Sequence, residues 1–333
     1  MNKGSRLKLS AHRTPLALLT SFLAFSVSAV DPDRFGGPTE LQDTFLPAQL
    51  RYQSYPESAR IVPLGHWRVG FEEDWTAHLA QTDTYLFDGE SLTSTLKLRH
   101  SPWERWELGM DVPYTARFGG TADEFIEFVE TTLNAKVEAR YHLPRNTYNA
   151  VIKGNGQTLG IPEKQGLGDI TVRAKFQLTR SETSPVDTAL VGTFGLPTGE
   201  ASFGGSGVSP GIGFNLQKPV ANWLNVYTGI AGVYYTDNSE NGFKLYSTRG
   251  MVYAGTAIKP FSWFELLFVY QIYSPLSPVN PPLDDPAHYY SITGRFFYGK
   301  NITFETGVVE NMGLIENRNS SDVTFKFSLV MNF

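Results

Sequence analysis

Arg173 and Lys175 stand two residues apart in the stretch DITVRAKFQL, where apolar residues alternate with polar ones. In an extended strand, residues two apart point to the same face, so both cations would project from the polar face of one strand. Around a pore, a ring of cations selects anionic solutes. If this strand belongs to the wall of a barrel, we predict that the two cations form a charged constriction in the lumen of that barrel. Further candidate residues for the constriction are Arg99, Arg295, Glu265 and Asp111.

Charges of both signs occupy the polar positions of the other alternating segments. If the apolar faces contact lipid, the polar faces line a lumen. By this parity the lumen would also contain Arg68, Lys97, Arg105, Arg117, Arg249, Lys326, Glu72, Asp74, Glu107, Asp169 and Glu305. Acids and bases on neighbouring strands can instead neutralise each other, and a narrow barrel favours such pairing. The sequence leaves both interpretations open: a selective conduit or a charge-paired interior.

Enzymatic chemistry at the membrane surface would need a base near the end of a strand. His78 and His288 would lie at the extracellular ends of their strands, as in a lipid hydrolase with its site at the rim. No serine follows the GxSxG arrangement, no HExxH or Cys/His metal spacing occurs, and the chain contains no cysteine. We expect no catalytic residue, no metal and no cofactor, with the rim hydrolase as the less favoured alternative.

Alternating segments that could position the charged residues follow one another from about residue 60 to the C-terminus. In WELGMDVPY, Trp106, Leu108 and Tyr114 share one face while Glu107 and Asp111 share the other. We predict twelve strands, near residues 60–77, 91–101, 104–117, 168–180, 187–198, 208–218, 222–236, 245–259, 262–274, 287–299, 301–312 and 322–333.

The connections alternate between short and long. SPWE, RSETSP, KPVAN, KPFS and GKN are short turns, and longer connections are expected near 78–90, 118–167, 199–207, 237–244, 275–286 and 313–321. Tight periplasmic turns and longer extracellular loops are typical of outer-membrane barrels. The predicted fold class is therefore all-β: a transmembrane antiparallel up-and-down β-barrel of about 12 strands over residues 60–333. AKVEARYHL with NAVIK could add a hairpin and make fourteen strands, and a soluble periplasmic sandwich is a further alternative.

Aromatic residues support a membrane location. Aromatics make up 14% of the chain, and a girdle is expected where strands cross the bilayer interface. The candidate girdle residues are Trp103, Trp106, Trp223, Trp263, Tyr234, Tyr235, Tyr273 and Tyr298. The last strand must pair with the first, because an open sheet edge cannot be satisfied in lipid. Its alternating residues Phe327, Leu329, Met331 and Phe333 also resemble a signal for the outer-membrane assembly machinery.

The N-terminal region has two parts. Residues 1–29 combine a basic start, an apolar run and a small-residue end at Ala29, which predicts a cleaved signal peptide of a Gram-negative bacterium. Residues 30–59 have no sustained period, and would either fold into the lumen as a plug or stay in the periplasm as a tether. In the longest loop, TADEFIEFVETTL predicts a short helix that either covers the barrel mouth or lies outside it.

The motifs GLGDITVRAKFQL, LVGTFGLPTGE and FGGSG resemble those of a family of proteobacterial outer-membrane barrels of unestablished function. GGPTELQDTFLPAQL, ERWELGMDVPY and the terminal DVTFKFSLVMNF fit the same pattern. The chain is more distantly similar to outer-membrane channels associated with aromatic-compound degradation. The resemblance implies a location in the outer membrane and a barrel fold, and it implies no catalytic residues.

Passage of small solutes is the leading functional prediction for such a barrel. The alternative is a non-conducting barrel that acts through its loops as a receptor, adhesin or structural protein. The net charge of −5 is small and spread along the chain, so no nucleic-acid partner is expected. The expected partners are the lipid bilayer of the outer membrane, the assembly machinery and an unidentified small solute.

Overall fold

The computed structural model describes residues 36–121, 123–133, 143–154, 156–180, 183–310 and 321–333. The strands are β1 (Trp67–Gln81), β2 (Tyr85–Trp103), β3 (Trp106–Phe118), β4 (Asn149–Gly154), β5 (Gln157–Gly160), β6 (Gln165–Leu167), β7 (Thr171–Thr179), β8 (Asp187–Gly195), β9 (Ser209–Ala221), β10 (Leu224–Tyr234), β11 (Ser239–Glu240), β12 (Phe243–Lys244), β13 (Thr248–Phe261), β14 (Phe264–Tyr273), β15 (Ala287–Tyr298), β16 (Ile302–Glu310) and β17 (Val323–Asn332). A helix, α1 (Asp123–Leu133), and the 3₁₀ turns Ala48–Leu50 and Pro281–Asp284 complete the described elements. No helix in these ranges is long and apolar enough to cross a membrane.

Twelve of the strands close into one antiparallel barrel. Around the barrel they follow the order β1, β2, β3, β7, β8, β9, β10, β13, β14, β15, β16 and β17. The ladder between β1 and β17 completes the circle, from Arg68 opposite Asn332 to Ala77 opposite Val323. A closed sheet leaves no strand edge unpaired in lipid. The predicted fold class and the preferred strand number are confirmed.

The two ends of the barrel differ in their connections. The short turns lie at one end, together with Trp67 and Phe333, whose backbone groups pair with each other. The longer connections lie at the other end and carry α1 and the short strands β4, β5, β6, β11 and β12. In barrels of this type the short turns are periplasmic and the long loops extracellular.

The wall is apolar outside and polar inside, the reverse of a soluble domain. On β3, Leu108 is 39% exposed while its neighbour Glu107 is 2% exposed. The same alternation exposes Phe71 on β1, Ile230 on β10 and Ile292 on β15. An outward apolar face on a closed barrel suits lipid rather than water, so the polar side chains are enclosed in the lumen.

Three predicted boundaries at the start of the barrel are wrong. The first strand, β1, begins at Trp67 rather than near residue 60 and continues to Gln81. The second strand, β2, already begins at Tyr85. Residues 78–90 therefore form a strand hairpin rather than a loop. Polar residues interrupt the apolar alternation there, which hid the strands. Tyr85 and Phe87 are nevertheless buried, because they pack against the other extracellular loops.

The girdle prediction holds for most of its members. Trp103, Trp106, Trp223, Trp263, Tyr234 and Tyr298 are exposed on the outer surface. Tyr235 and Tyr273 were assigned to the wrong side, since they are 4% and 1% exposed and their hydroxyls bond inside the lumen. A tyrosine suits either side of the wall, because its ring is apolar and its hydroxyl can reach a partner.

The predicted loop helix is confirmed as α1. Its Ile126 packs against Ala77, with Trp75 and Val323 beside them. These three residues lie on the outward-facing positions of β1 and β17, so Ile126 packs on the outside of the wall. The segment that could have made a thirteenth strand, 135–143, lies almost entirely outside the described residues, as does the predicted signal peptide. NAVIK belongs to β4, which pairs with the extracellular extension of β2.

Candidate functional site

The lumen contains the chain's own N-terminal region. Residues 36–62, here called the lumen segment, have no strand of their own and lie inside the barrel, mostly buried. Because the wall turns its polar residues inward, this irregular backbone finds hydrogen-bond partners that it could not find in lipid. The segment rises from the periplasmic end to the extracellular loops and then returns.

The rising limb starts near the periplasmic end of β14. The backbone N–H of Gly36 donates to Glu265 Oε2 at 3.4 Å. Thr39 Oγ1 lies 2.6 Å from Thr293 Oγ1 on β15. Further up, the buried carboxylate of Asp43 accepts hydrogen bonds from Arg249 and from the hydroxyl of Tyr289.

The tip of the lumen segment is apolar and sits beneath the extracellular loops. Phe45, Leu46, Ala48 and Leu50 form one buried cluster with loop and strand-end residues. The partners are Tyr85, Phe87, Ala150, Ile152, Leu159, Ile161, Phe243, Leu245, Leu276 and Leu283. Burial of a large apolar side chain contributes about 1.5–3 kcal/mol, so the tip is anchored by the hydrophobic effect while the limbs are held by polar contacts.

The descending limb returns to the periplasmic end. Ser58 Oγ donates to Gln217 Oε1 at 3.0 Å on β9. Arg60 Nε donates to Asp187 Oδ2 at 2.8 Å. The N–H of Val62 donates to Glu107 Oε2 at 2.8 Å, next to the turn between β2 and β3. With both limbs side by side, the segment fills the middle of the barrel.

Inward-facing tyrosines hold the backbone of the segment along both limbs. The hydroxyl of Tyr227 donates to the Gly36 carbonyl at 2.9 Å, and that of Tyr235 to the Tyr52 carbonyl at 2.9 Å. The hydroxyl of Tyr253 donates to the Glu57 carbonyl at 2.9 Å, and that of Tyr273 to the Ser54 carbonyl at 3.0 Å. Sequence reasoning missed these contacts. Their signal was present, because Tyr227 and Tyr253 occupy the lumen-facing parity of β10 and β13.

The predicted constriction pair points into the lumen and meets an acid of the segment. Glu57 lies 3.1 Å from Arg173 Nη2 and 3.2 Å from Lys175 Nζ. Lys175 is also 3.3 Å from Glu107 on β3. Arg173 and Lys175 are therefore brought together, and the lumen segment supplies part of their counter-charge.

A second group of predicted residues lies beside this pair. Arg99 Nη1 is 2.6 Å from Asp111 Oδ1. The hydroxyl of Tyr55 donates to Asp111 Oδ2 at 2.6 Å and accepts from Arg99 Nη2 at 2.9 Å. The guanidinium of Arg173 stacks 4.7 Å from the ring centre of Tyr55. A residue of the segment thus completes the network between β2, β3 and β7.

The remaining two predicted residues form a separate network on the opposite wall. Arg295 lies 2.6 Å from Glu305 and 3.2 Å from Glu265, and it also donates to the Gly37 carbonyl at 2.8 Å. One predicted lumen residue is misplaced: Arg105 is exposed in the turn after β2, with a positive φ of 63°. The other lumen charges predicted by parity face inward.

A small polar space remains in the lumen beside the segment. A polar cavity of about 60 Å³ lies between the segment and β1, β2, β3 and β7. Glu40, Asp43, Arg51, Lys97 and Asp169 are among its lining residues. A volume of that size holds a few water molecules, so in this state the described part of the lumen has no room here for an organic solute.

The motif GLGD has a structural role at the extracellular end. Asp169 accepts hydrogen bonds from the N–H groups of Gly199 at 3.0 Å and Gly205 at 2.8 Å. A Cβ on Gly204 would overlap the Asp169 carboxylate, which explains the glycine there. Burial raises the pKa of Asp169, and these backbone N–H groups oppose the rise. The motifs GLGD, LPTG and FGGSG therefore hold one extracellular loop against the end of the barrel.

The two histidines considered for a rim-sited lipid hydrolase have different surroundings. His78 is 3% exposed, points into the lumen and bonds to Ser91 Oγ through Nε2 at 2.9 Å. His288 lies on β15, where its Nδ1 is 2.6 Å from the hydroxyl of Tyr270. Across the described ranges, no cluster of three or more His, Asp or Glu side chains could hold a metal ion.

The chain belongs to the family described as "Protein of unknown function (DUF3187)", whose profile matches residues 20–333. This confirms the family resemblance seen in the sequence motifs. No protein of curated function matches the chain.

One solved structure of an outer-membrane channel shares the fold, and other channel structures match with lower scores. The COG4313 outer membrane channel from Pseudomonas putida F1 has a TM-score of 0.56 and 12% identity, and the match covers 84% of this chain and 100% of that one. The NanC porin has a TM-score of 0.47 at 10% identity, over 80% and 98% of the two chains. The P. putida toluene transporter TodX has a TM-score of 0.42 at 11% identity, over 91% and 99%. The first comparison places the chain in the barrel fold of outer-membrane channels.

Proposed function

We propose that this barrel is an outer-membrane channel for small polar solutes and that the lumen segment closes it at rest. The observation that supports this proposal most directly is that residues 36–62 lie in the lumen and that ion pairs and hydrogen bonds hold their two limbs there. Water and solute ions can replace such contacts at little net cost, because a typical intramolecular hydrogen bond contributes only about 1 kcal/mol net. Displacement of the limbs would open a polar path through the lumen, lined by the inward-facing residues of the wall.

The same contacts bear on which solutes would pass. When the limbs leave, Arg173, Lys175 and Lys97 each lose one acidic partner, and Arg249 loses Asp43. The segment carries three acids, Glu40, Asp43 and Glu57, against two arginines. Its departure therefore leaves the wall more positive, and the open channel would favour anions.

We expect Arg173→Ala and Lys175→Ala to lower the preference for anions over cations by at least about twofold, because each removes a cation from the lumen wall. The measurement is the reversal potential in a KCl gradient in planar bilayers, with both variants and the control made in the full-length Asp43→Ala background, which is expected to conduct. Lys300→Ala is the matched control, since Lys300 is exposed in a periplasmic turn. Unchanged selectivity in both variants would remove these residues from the conduction path.

A non-conducting barrel that acts through its loops is the second candidate. The apolar cluster at the tip of the segment favours it, because burial of Phe45, Leu46 and Leu50 fixes the tip beneath the loops. Absence of current from the wild type and from variants with weakened limbs would support this alternative over a channel.

Export and assembly complete the proposal. Residues 1–29 would direct export, and Phe327, Leu329, Met331 and Phe333 would carry the assembly signal. Phe333 also has a structural role, since its N–H donates to the Trp67 carbonyl at 2.9 Å and its carbonyl accepts from the Trp67 N–H at 3.1 Å.

Phe333→Ala separates the two roles, because it keeps the backbone pairing and removes the aromatic ring. We expect the amount of assembled barrel in cell envelopes to fall severalfold, while refolding in detergent micelles stays as in the wild type. Tyr298→Ala, another exposed aromatic at the periplasmic end, serves as the control. Equal losses in cells and in micelles would show that the ring is needed for stability instead.

A further inference from the structure

The side chain of Arg117 is a buried cation that has no hydrogen-bond partner in the part of the chain that the structure describes. It lies at the extracellular end of β3, faces the lumen and is 3% exposed. None of its Nε, Nη1 and Nη2 atoms has a hydrogen-bond partner among the described residues. The face of its guanidinium rests 4.4 Å from the ring centre of Phe203. Its N–H groups therefore remain available at the edge, where an acceptor would approach.

Other buried polar groups lie at the same end of the lumen as this guanidinium. Within the described ranges, the buried hydroxyl of Tyr148 and the Nε and Nη1 atoms of Arg51 have no hydrogen-bond partner. The same holds for Nδ1 of His78, which donates or accepts according to the tautomer. His78 bonds to Ser91, which lies opposite Arg117 in the ladder between β2 and β3. The ring of Tyr148 and the carbonyl of Phe118, the residue after Arg117, both lie close to Gly89. Arg51 reaches the same region from the tip of the lumen segment, because it lines the small cavity together with Phe203, the residue on which Arg117 rests. The donors thus come from the wall, a loop and the segment.

The charges facing Arg117 do not neutralise it. Glu240 on β11 is the acid that acts on it most directly, but the two form no ion pair. Asp169, which lines the small cavity together with Phe203, is held by the backbone N–H groups of the glycine loop. A buried charge without a partner is strongly unfavourable. Since guanidinium groups can only donate, the missing partner must be an acceptor, and an anion satisfies both the charge and the geometry.

We propose that Arg117, with Tyr148 and Arg51, binds a small oxyanion at the extracellular mouth of the barrel. The shared ligand chemistry is a carboxylate or phosphate group, which accepts several N–H and O–H bonds at once. The site lies beneath the extracellular loops, outside the Arg173 and Lys175 pair. It goes beyond the proposed channel function, because binding requires no opening of the lumen.

The test is isothermal titration calorimetry on the refolded full chain in detergent, with sodium succinate and with inorganic phosphate as separate probes. The wild type is expected to bind at least one of them, and glucose, a neutral probe, is expected not to bind. Binding of succinate alone assigns the site to carboxylates, and binding of phosphate alone assigns it to phosphate. Failure of both anions to bind would overturn the proposal.

Substitutions test whether any anion binding takes place at the Arg117 site. Arg117→Gln is expected to weaken it by at least about tenfold, since it removes a charge-assisted fork, and Tyr148→Phe by a smaller factor. Arg145→Gln is the control, because Arg145 is exposed on the same side and pairs with Glu127. If Arg117→Gln does not fold, Arg117→Lys keeps the charge and should still weaken binding by losing the planar fork. Wild-type affinity in the folded Arg117 variant would overturn the proposal, whatever the bilayer currents show.

Discussion

Replacing Asp43 by Ala is expected to convert the closed barrel into a conducting one. The Asp43 carboxylate is fully buried on the rising limb. It accepts hydrogen bonds from Arg249 and from Tyr289, and one at 2.9 Å from the N–H of Phe45. Among the described residues, Asp43 is the only acid paired with Arg249. Alanine would leave that guanidinium buried and uncompensated as long as the segment stays in place.

The size of this effect follows from the burial of the pair. Removal of one partner of a buried ion pair costs about 3–5 kcal/mol. If the cost falls on the closed state, the equilibrium shifts towards the open state by roughly two to three and a half powers of ten, since 1.4 kcal/mol corresponds to tenfold. In the open state water reaches Arg249, and the penalty largely disappears.

The measurement is the open probability of single channels of the full-length Asp43→Ala variant in planar bilayers. Asp83→Ala is the matched control, because Asp83 is exposed at the tip of the β1–β2 hairpin. Current from Asp43→Ala with none from the wild type and Asp83→Ala is the expected result. A silent Asp43→Ala variant with a lowered urea midpoint would show that the pair stabilises the barrel without controlling a path.

A covalent link between the segment and the wall should have the opposite effect. Thr39 Oγ1 and Thr293 Oγ1 lie 2.6 Å apart, and cysteine sulfurs at these positions need to approach only slightly to reach the disulfide length of about 2.05 Å. The natural chain has no cysteine, so Thr39→Cys with Thr293→Cys introduces the only two thiols. Once they are oxidised, the rising limb cannot leave the lumen, and we expect current to disappear.

The wall of the barrel was predictable from sequence because each strand obeys one physical rule. Side chains alternate between lipid and lumen, so Leu108 and Glu107 could be assigned to opposite sides from their order alone. The same rule placed Arg173, Lys175 and Asp111 inside. The rule failed for Tyr235 and Tyr273, because an aromatic ring with a hydroxyl suits either side of the wall. It also failed for residues 78–90, because the strands leave the membrane there and the rule no longer applies.

The position of the lumen segment could not be derived from its sequence. Its residues have no period, and its partners are distant in the chain: Thr39 and Thr293 are separated by 254 positions. Glu57 could be recognised as a partner of Arg173 only after both limbs had been located. The charges on the wall offered a hint, because Arg249 has no acidic neighbour on its own strand or on the adjacent strands at its level.

The central claim is that the lumen segment opens and closes a path through the barrel. Its most direct test is the current through the Asp43→Ala, Thr39→Cys, Thr293→Cys triple variant, recorded first oxidised and then after addition of a reductant. We expect silence while the disulfide is intact and conduction after reduction, with no response to reductant in Asp43→Ala carrying either cysteine alone. Steady current through the oxidised triple variant, or silence in both states, would contradict it.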